Sequence, residues 1–477
     1  MTFFETRRAK KEYNKQYLEN YNDFNQANLE ERSEEVKRLI GVVPSPRQKQ
    51  FQKDGFMVFM HFGMNTFTNR EWGTGKEQEK LFNPPQVDTD QWCEAVKASG
   101  AKGIILTCKH HDGFCLFQTE YTEHSIKNSP YKNGKGDILA ELATSCKKYG
   151  LKVGVYLSPW DMNSKVYGTK AYDDYFVNQL TELLTNYGEI YEVWFDGAKG
   201  ANVPDFNYDW QRYYDVIRAL QPNAVISVCG PDVRWCGNEA GKCRESEWNV
   251  VSSFLMDAEK IQADSQSDEK DLKKLQGTNA MEEDLGSREV LKGAKKLVWY
   301  PAEVDVSIRK GWFYHRKEDR KIKSLQTLLD IYCSSVGGNA TLLLNVPPNK
   351  QGRLASGDVL RLAELGKAIQ ALYANPILEM DNIDMDYNII DAVFSSRQNI
   401  KTIVLEEDLD YSQRVEMFDV YLGFDRYYKR VYHGTTIGSK KIIRLPEYAS
   451  AEKCYGVKVV VKKSRSSPRI SFLGIYN

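Results

Sequence analysis

The chain has 477 residues, 42% of them apolar and 12% aromatic, more than one ordinary domain needs and ample for a large core. Lys and Arg number 65 and Asp and Glu 65, so the formal charge is zero and no whole-chain field draws in DNA, RNA or an anionic membrane; nucleic acid is set aside as a partner. Nine cysteines (Cys93, Cys108, Cys115, Cys146, Cys229, Cys236, Cys243, Cys333 and Cys454) form no CxxC pair, which excludes a small disulfide framework and argues against structural zinc, and no run of about 20 apolar residues offers a membrane span.

Residues 1–45 are polar and read as a helical N-terminal extension, with a weak helical pattern in NLEERSEEVKRLI before the Pro-punctuated GVVPSPRQKQF. Met1 to Lys10 carry no apolar signal core, which leaves the compartment open: periplasmic or secreted if a signal peptide has been removed, cytoplasmic otherwise. From 46 to 375, β-rich runs alternate with amphipathic stretches. The runs are FMVFMHFG (56–63), GIILTCKHH (103–111), KVGVYLSPW (152–160), IYEVWFDG (190–197), AVISVCG (224–230), LVWYPAEVDV (297–306) and ATLLLNV (340–346). Between them lie helix-like segments such as TDQWCEAVKASG, DILAELATSCKKYG and SLQTLLDIYCSSVG, several closed by Gly. Repeated strand-then-helix units predict a parallel α/β fold.

Polar residues choose between the two α/β architectures. His61, His110, His111, Tyr156, Trp160, Asp196, Glu303 and Asp305 all fall near strand ends, and convergence of many strand C-termini on one site is a property of the closed TIM-like (β/α) barrel. An open sheet gathers its ligand at one switch point, and neither GxGxxG nor GxxxxGK[ST] is present. Residues 231–296 interrupt the rhythm and read as an insertion at the functional rim. From 376 to 477 alternating runs such as KTIVLEED and YGVKVVVKK predict a C-terminal all-β sandwich domain, read either as a structural brace or as a carbohydrate-binding module.

The chemistry centres on VWFDGAKG, where an apolar strand runs into Asp196 and then Gly197. An acid there is held over a barrel mouth, although a helix N-cap or turn would also use it. Glycoside hydrolysis requires a second carboxyl group, and GPDVRWCGNEAGKCRESEW offers Asp232, Glu239, Glu245 and Glu247. Glu239, flanked by Trp235 and Asn238, is the candidate whose pKa partial desolvation can raise, against the alternative of a solvated loop Glu. His61, His110 and His111 read as hydrogen-bond donors to hydroxyls, as ligands of a metal with Asp112, or as packing residues. Adjacent strand residues point to opposite faces, which disfavours the metal unless a loop brings them together. Trp72, Trp160 and Trp312 are candidate stacking platforms or core residues.

Six ordered motifs, FMVFMHFGMNTFTNREWGTG, KHHDGFCLF, YLSPWD, VWFDG, GPDVRWCGNEAG and GWFYH, together resemble family 29 glycoside hydrolases, the α-L-fucosidases, over roughly residues 43–375. The resemblance implies a retaining mechanism with Asp196 as nucleophile and Glu239 as proton donor. It also implies fucose contacts from His61, Glu71, Trp72, His110, His111, Tyr156, Asp161 and Trp312, with no metal and no organic cofactor. The GPDVRWCGNE and GWFYH forms resemble the branch acting on α-1,3- and α-1,4-linked fucose in Lewis-type glycans, so the expected partner is a fucosylated oligosaccharide or glycoconjugate. A metal-dependent barrel hydrolase and a non-catalytic glycan-binding protein are the rival readings.

Overall fold

The computed structural model describes residues 33–200, 203, 206–265, 282–383, 385 and 388–477, with 262–265 described by their backbone. Residues 1–32 of the predicted extension and 266–281 of the predicted insertion lie outside the described residues.

Eight parallel strands form a nearly closed barrel: β1 Phe56–Met60, β2 Gly103–Lys109, β3 Lys152–Leu157, β4 Glu192–Phe195, β5 Val225–Val228, β6 Arg234–Trp235, β7 Ala302–Ser307 and β8 Thr341–Asn345. Their hydrogen-bonded order is β5-β4-β3-β2-β1-β8-β7-β6. A single bridge, Ser227 to Val233, joins β5 towards β6 and brings the ring round. The strands are buried on both faces, which is why they read as near-continuous apolar runs.

Helices Thr89–Ser99, Ile138–Tyr149, Ala171–Asn186, Trp210–Leu220, Leu325–Ser335 and Ser356–Leu372 form the outer layer. Their ends follow local chemistry. Asp88, Asp137, Asp209 and Ser324 cap the N-termini by accepting a backbone N–H, and Gly100 and Gly150 leave two C-termini at φ 88° and 69°. No helix follows β5. Helix Pro46–Asp54 covers that stretch instead, packing Phe51 against Val225 and Val233.

The structure corrects two strand readings. The predicted sixth strand, 297–306, is two strands. Leu297–Trp299 pairs antiparallel with Val250–Ser252 outside the barrel, and only Ala302–Ser307 belongs to the barrel wall. The sixth barrel strand, Arg234–Trp235, lies inside the interval read as insertion, because two residues are too few to show any periodicity. Val228 turns the chain there with φ 67°, a costly conformation for a β-branched residue, and its N–H is satisfied by Val233 O at 2.9 Å.

Beyond Leu372 two antiparallel four-stranded sheets form the C-terminal domain. Pro376–Asp381, Ile470–Tyr476, Thr402–Glu407 and Lys441–Arg444 make one; Ile389–Gln398, Cys454–Ser464, Val415–Phe424 and Tyr427–Gly434 make the other. An apolar core including Ile403, Phe418, Val459 and Leu473 lies between them. Val404, Ile442 and Tyr476 instead join the barrel's own apolar cluster, so the domain is welded to the barrel. Among the described residues no helix is long and apolar enough to cross a membrane, and all nine cysteines are free thiols.

Candidate active site

A cavity of about 2400 Å³ opens at the C-terminal ends of the strands and continues outward to Glu416, Met417 and Lys463 of the C-terminal domain. His61, Glu71, Trp72, His110, His111, Asp196, Glu239 and Trp312 all line it, together with Trp160, Trp194, Trp235 and Asp305.

Asp196 stands one residue past β4. Its Oδ2 accepts from the Tyr156 hydroxyl at 3.0 Å, its Oδ1 accepts from Ala198 N at 2.7 Å, and His111 Nε2 lies 3.9 Å from Oδ2. Tyr156 does not line the cavity. It sits directly beneath, stacked on Trp194 at 5.4 Å, and burial with the Asp196 charge raises its pKa so that it stays a donor.

Glu239 projects from the loop after β6, and its Oε2 accepts from Trp312 Nε1 at 3.2 Å. Glu239 is exposed and lines the cavity, and the residues around it partly desolvate its carboxyl group. That desolvation raises its pKa above the ordinary glutamate value, and the charges of Asp196 and Glu71 push the same way. Asp305, next on the floor, is held by Trp235 Nε1 at 2.9 Å and is driven well up by burial and by Glu239.

The histidines form a neutral trio. Burial lowers His61 to about 3 and holds His110 and His111 below their ordinary range. Hydrogen-bond partners assign the ring protons. Asn345 Nδ2 donates to Ser307 Oγ and Trp312 O, so its Oδ1 is the acceptor facing His61 Nδ1 at 2.9 Å. Ser158 donates its proton to Trp160 O, so its Oγ accepts from His111 Nδ1 at 2.8 Å. His61 and His111 therefore turn bare Nε2 atoms outward. His110 Nδ1 faces the Asn65 amide nitrogen at 3.5 Å, which leaves its proton on Nε2.

Loop geometry brings the adjacent histidines together. β2 ends at Lys109, and His110 and His111 lie in the following turn with ring centroids 4.1 Å apart. Gly113 closes that turn at φ 82°, where an added Cβ would stand 2.4 Å from Asp161 Oδ1.

Asp161, like Tyr156, is a predicted contact that does not line the cavity. It is buried in an ion pair with Lys109 Nζ at 3.0 Å and supports the histidine turn from behind, because a buried lysine must be paired. Asp112 is likewise turned away, its Oδ1 accepting from Phe114 N at 2.8 Å. Among the described residues no group of three or more His, Cys, Asp and Glu side chains is arranged to hold a metal ion. Glu303 points into the barrel interior, bonded to Trp194 Nε1 at 2.8 Å. Glu71 fastens the Trp312 loop, accepting from Trp312 N at 2.7 Å and pairing with His315. Trp72 is 55% exposed at the rim, edge-on to Trp160 and His111. Asn345 and Ser158, which set the histidine tautomers, escaped the sequence reading. Asn345 was in principle detectable as a polar residue ending an apolar strand.

A parallel barrel whose strand ends carry two carboxyl groups into one aromatic-walled, hydroxyl-matching cavity defines a class, that of the barrel glycoside hydrolases. Residues 25–372 match the Alpha-L-fucosidase family. Alpha-L-fucosidase 1 of Arabidopsis thaliana is 37% identical over 470 residues, spanning 91% of this chain and 87% of that one. A Bacteroides ovatus protein provisionally named an α-L-fucosidase has a crystal structure that superposes with a TM-score of 0.84 at 44% identity, covering 92% of this chain and 75% of that one. A Ruminococcus gnavus GH29 fucosidase in complex with fucose superposes with a TM-score of 0.76 at 28% identity, covering 91% and 95%. The chain belongs to the α-L-fucosidase family and is a glycoside hydrolase.

Proposed function

We propose that this chain is a retaining exo-α-L-fucosidase that removes terminal α-1,3- or α-1,4-linked fucose from Lewis-type or related glycans by double displacement. The observation that carries the reading is the unlike treatment of two carboxyl groups facing one cavity. Asp196 accepts from Tyr156 and Ala198 N, an aimed acceptor suited to attack, while partial desolvation and the charges of Asp196 and Glu71 raise the pKa of Glu239.

In the first step an Asp196 oxygen bonds the anomeric carbon, the glycosidic C–O bond breaks, and Glu239 gives its proton to the departing oxygen. In the second, Glu239 takes a proton from water, whose oxygen bonds the same carbon and releases Asp196 and fucose. The three histidines match sugar hydroxyls: His61 and His111 accept from them, and His110 donates to a hydroxyl oxygen. Trp312, against His61 at 5.1 Å, and Trp160 offer apolar walls to the methyl group and ring face. The fucose held by the Ruminococcus gnavus relative supports the sugar assignment, and the cavity's reach beyond Glu239 leaves room for a branched glycan. The linkage assignment is supported by the GPDVRWCGNE and GWFYH motifs.

The test is fucose release from a Lewis a or Lewis x trisaccharide beside a 4-nitrophenyl fucoside, with the first-formed anomer followed by NMR. Release of α-fucose from the trisaccharide is expected. First-formed β-fucose would overturn retention, and cleavage of the aryl fucoside alone would overturn the linkage assignment.

A further inference from the structure

Glu239 hangs on a loop with two unlike feet. The near foot is β6, where Cys236 N donates to Glu303 O at 2.9 Å. The far foot, Glu245–Asn249, lies against the C-terminal domain. Gln413, fully buried there, uses both ends of its amide: Nε2 donates to Glu247 O at 3.0 Å and Oε1 accepts from Asn249 N at 2.8 Å. Thr435 adds a donation to Glu245 O at 3.1 Å. Asn339, from the turn before β8, donates to Glu247 O at 2.8 Å and accepts from Ser439 N at 2.8 Å, closing a polar knot of four chain segments.

The knot is wired to the loop tip. The buried Glu247 carboxylate pairs with Arg234 of β6 and with Arg244 at 3.2 Å, and Arg244 Nη1 donates to Cys236 O at 3.0 Å, three residues before Glu239. Asn238 then shapes the turn itself, accepting from Ala240 N and Lys242 N. Glu239's own side chain is held by a hydrogen bond from Trp312 at the cavity side. Where it stands therefore depends on how the feet are held.

We infer that the C-terminal domain positions the proton donor of the barrel, with Gln413 as the positioning residue that fixes the Glu247–Arg244–Cys236 chain of contacts beneath Glu239. This rests on the reading of Glu239 as the donor. A plain brace between domains and a positioning device part company on the leaving group, because only departure of a poor leaving group needs the proton.

The experiment compares kcat/KM on the Lewis trisaccharide with that on α-L-fucosyl fluoride, whose fluoride leaves unprotonated, for Gln413→Met and for the milder, partly exposed Thr435→Val. The full chain is used throughout. Expected for Gln413→Met is a loss of about tenfold or more on the trisaccharide with the fluoride within about twofold, and for Thr435→Val a smaller loss of the same kind. Equal losses on both substrates, or no loss on either, would overturn the inference. Glu239→Gln runs beside them. If it spares the trisaccharide, the donor assignment is wrong and the inference falls with it. If it shows the split while the Gln413 and Thr435 variants do not, only the positioning role is lost.

Discussion

Asp196 and Glu239 carry the same functional group into one cavity, and in the proposed reaction what touches each decides its part. Replacing Asp196 by Asn is expected to abolish turnover on every substrate, whereas Glu239→Gln is expected to lower kcat/KM about 10²- to 10⁴-fold on a trisaccharide and little on fucosyl fluoride, whose kcat still falls because the second step needs Glu239 as base. Tyr156→Phe removes the hydroxyl that meets Asp196 but keeps the ring stacked on Trp194, so kcat is expected to fall about tenfold with the fold intact, a hydrogen bond to a charged group being worth about 1.5–3 kcal/mol. In the proposed reaction Glu239 acts protonated, and desolvation raises its pKa, so activity is expected to fall as pH rises through that raised value; a basic limb at the ordinary glutamate range would count against the donor assignment. The histidines make a separate pH statement. They are neutral in the fold but free to protonate once unfolded, so their contribution is whole above about pH 6.5 and is lost as pH falls toward the folded value, about 3 for His61. Buried carboxyl groups such as Asp112 and Glu192, raised to about 7, gain stability over the same range, so the histidine share is read by difference: a His61→Gln variant is expected to lose up to about 2 kcal/mol less than the parent chain between pH 6.5 and 5. An unchanged pH slope in that variant would refute the buried-neutral assignment of His61.

The loop after β6 is the element on which the site turns, and it is the one least visible in the sequence. Arg234–Trp235 is too short to announce a strand, and the charged run around it reads as solvated surface. In the fold that surface is turned inward: Arg234, Glu247 and Asn249 are all buried and paired. Glu247→Gln leaves two arginines without their carboxylate, and breaking a buried pair of this kind costs about 3–5 kcal/mol, so a clear drop in melting temperature is expected. A neutral variant would show that the pair is solvated in solution. The KHHDG turn teaches the converse. Strand alternation predicts opposed histidines, and the turn at Gly113, backed by the Lys109–Asp161 pair, sets them side by side. Alternation applies only while the backbone stays extended, and β2 stops at Lys109.

For the molecule as a whole, the C-terminal domain is continuous with the barrel. Val404, Ile442 and Tyr476 lie in the barrel's cluster, Leu409 joins Leu39, Val250 and Trp299 in another, and the Gln413 knot adds buried polar ties. Calorimetry is expected to show one cooperative transition, and a chain ended after Leu372 is expected to be insoluble; two separable transitions would mean the shared core contributes little. The sequence by itself determined the alternation of apolar strands with capped helices, hence a parallel barrel followed by a β domain, and it marked Asp196, His61, His110 and His111 at strand ends. Those features are local, set by period, cap and turn chemistry within a dozen residues. The tertiary structure alone decided that Asp161 and Asp112 face away from the cavity, which nitrogen of each histidine carries the proton, and that the loop bearing Glu239 is held from the far domain. Each of these depends on groups far apart in the chain, such as Asn345 meeting His61 and Gln413 meeting Glu247, and such meetings leave no period in the sequence to read.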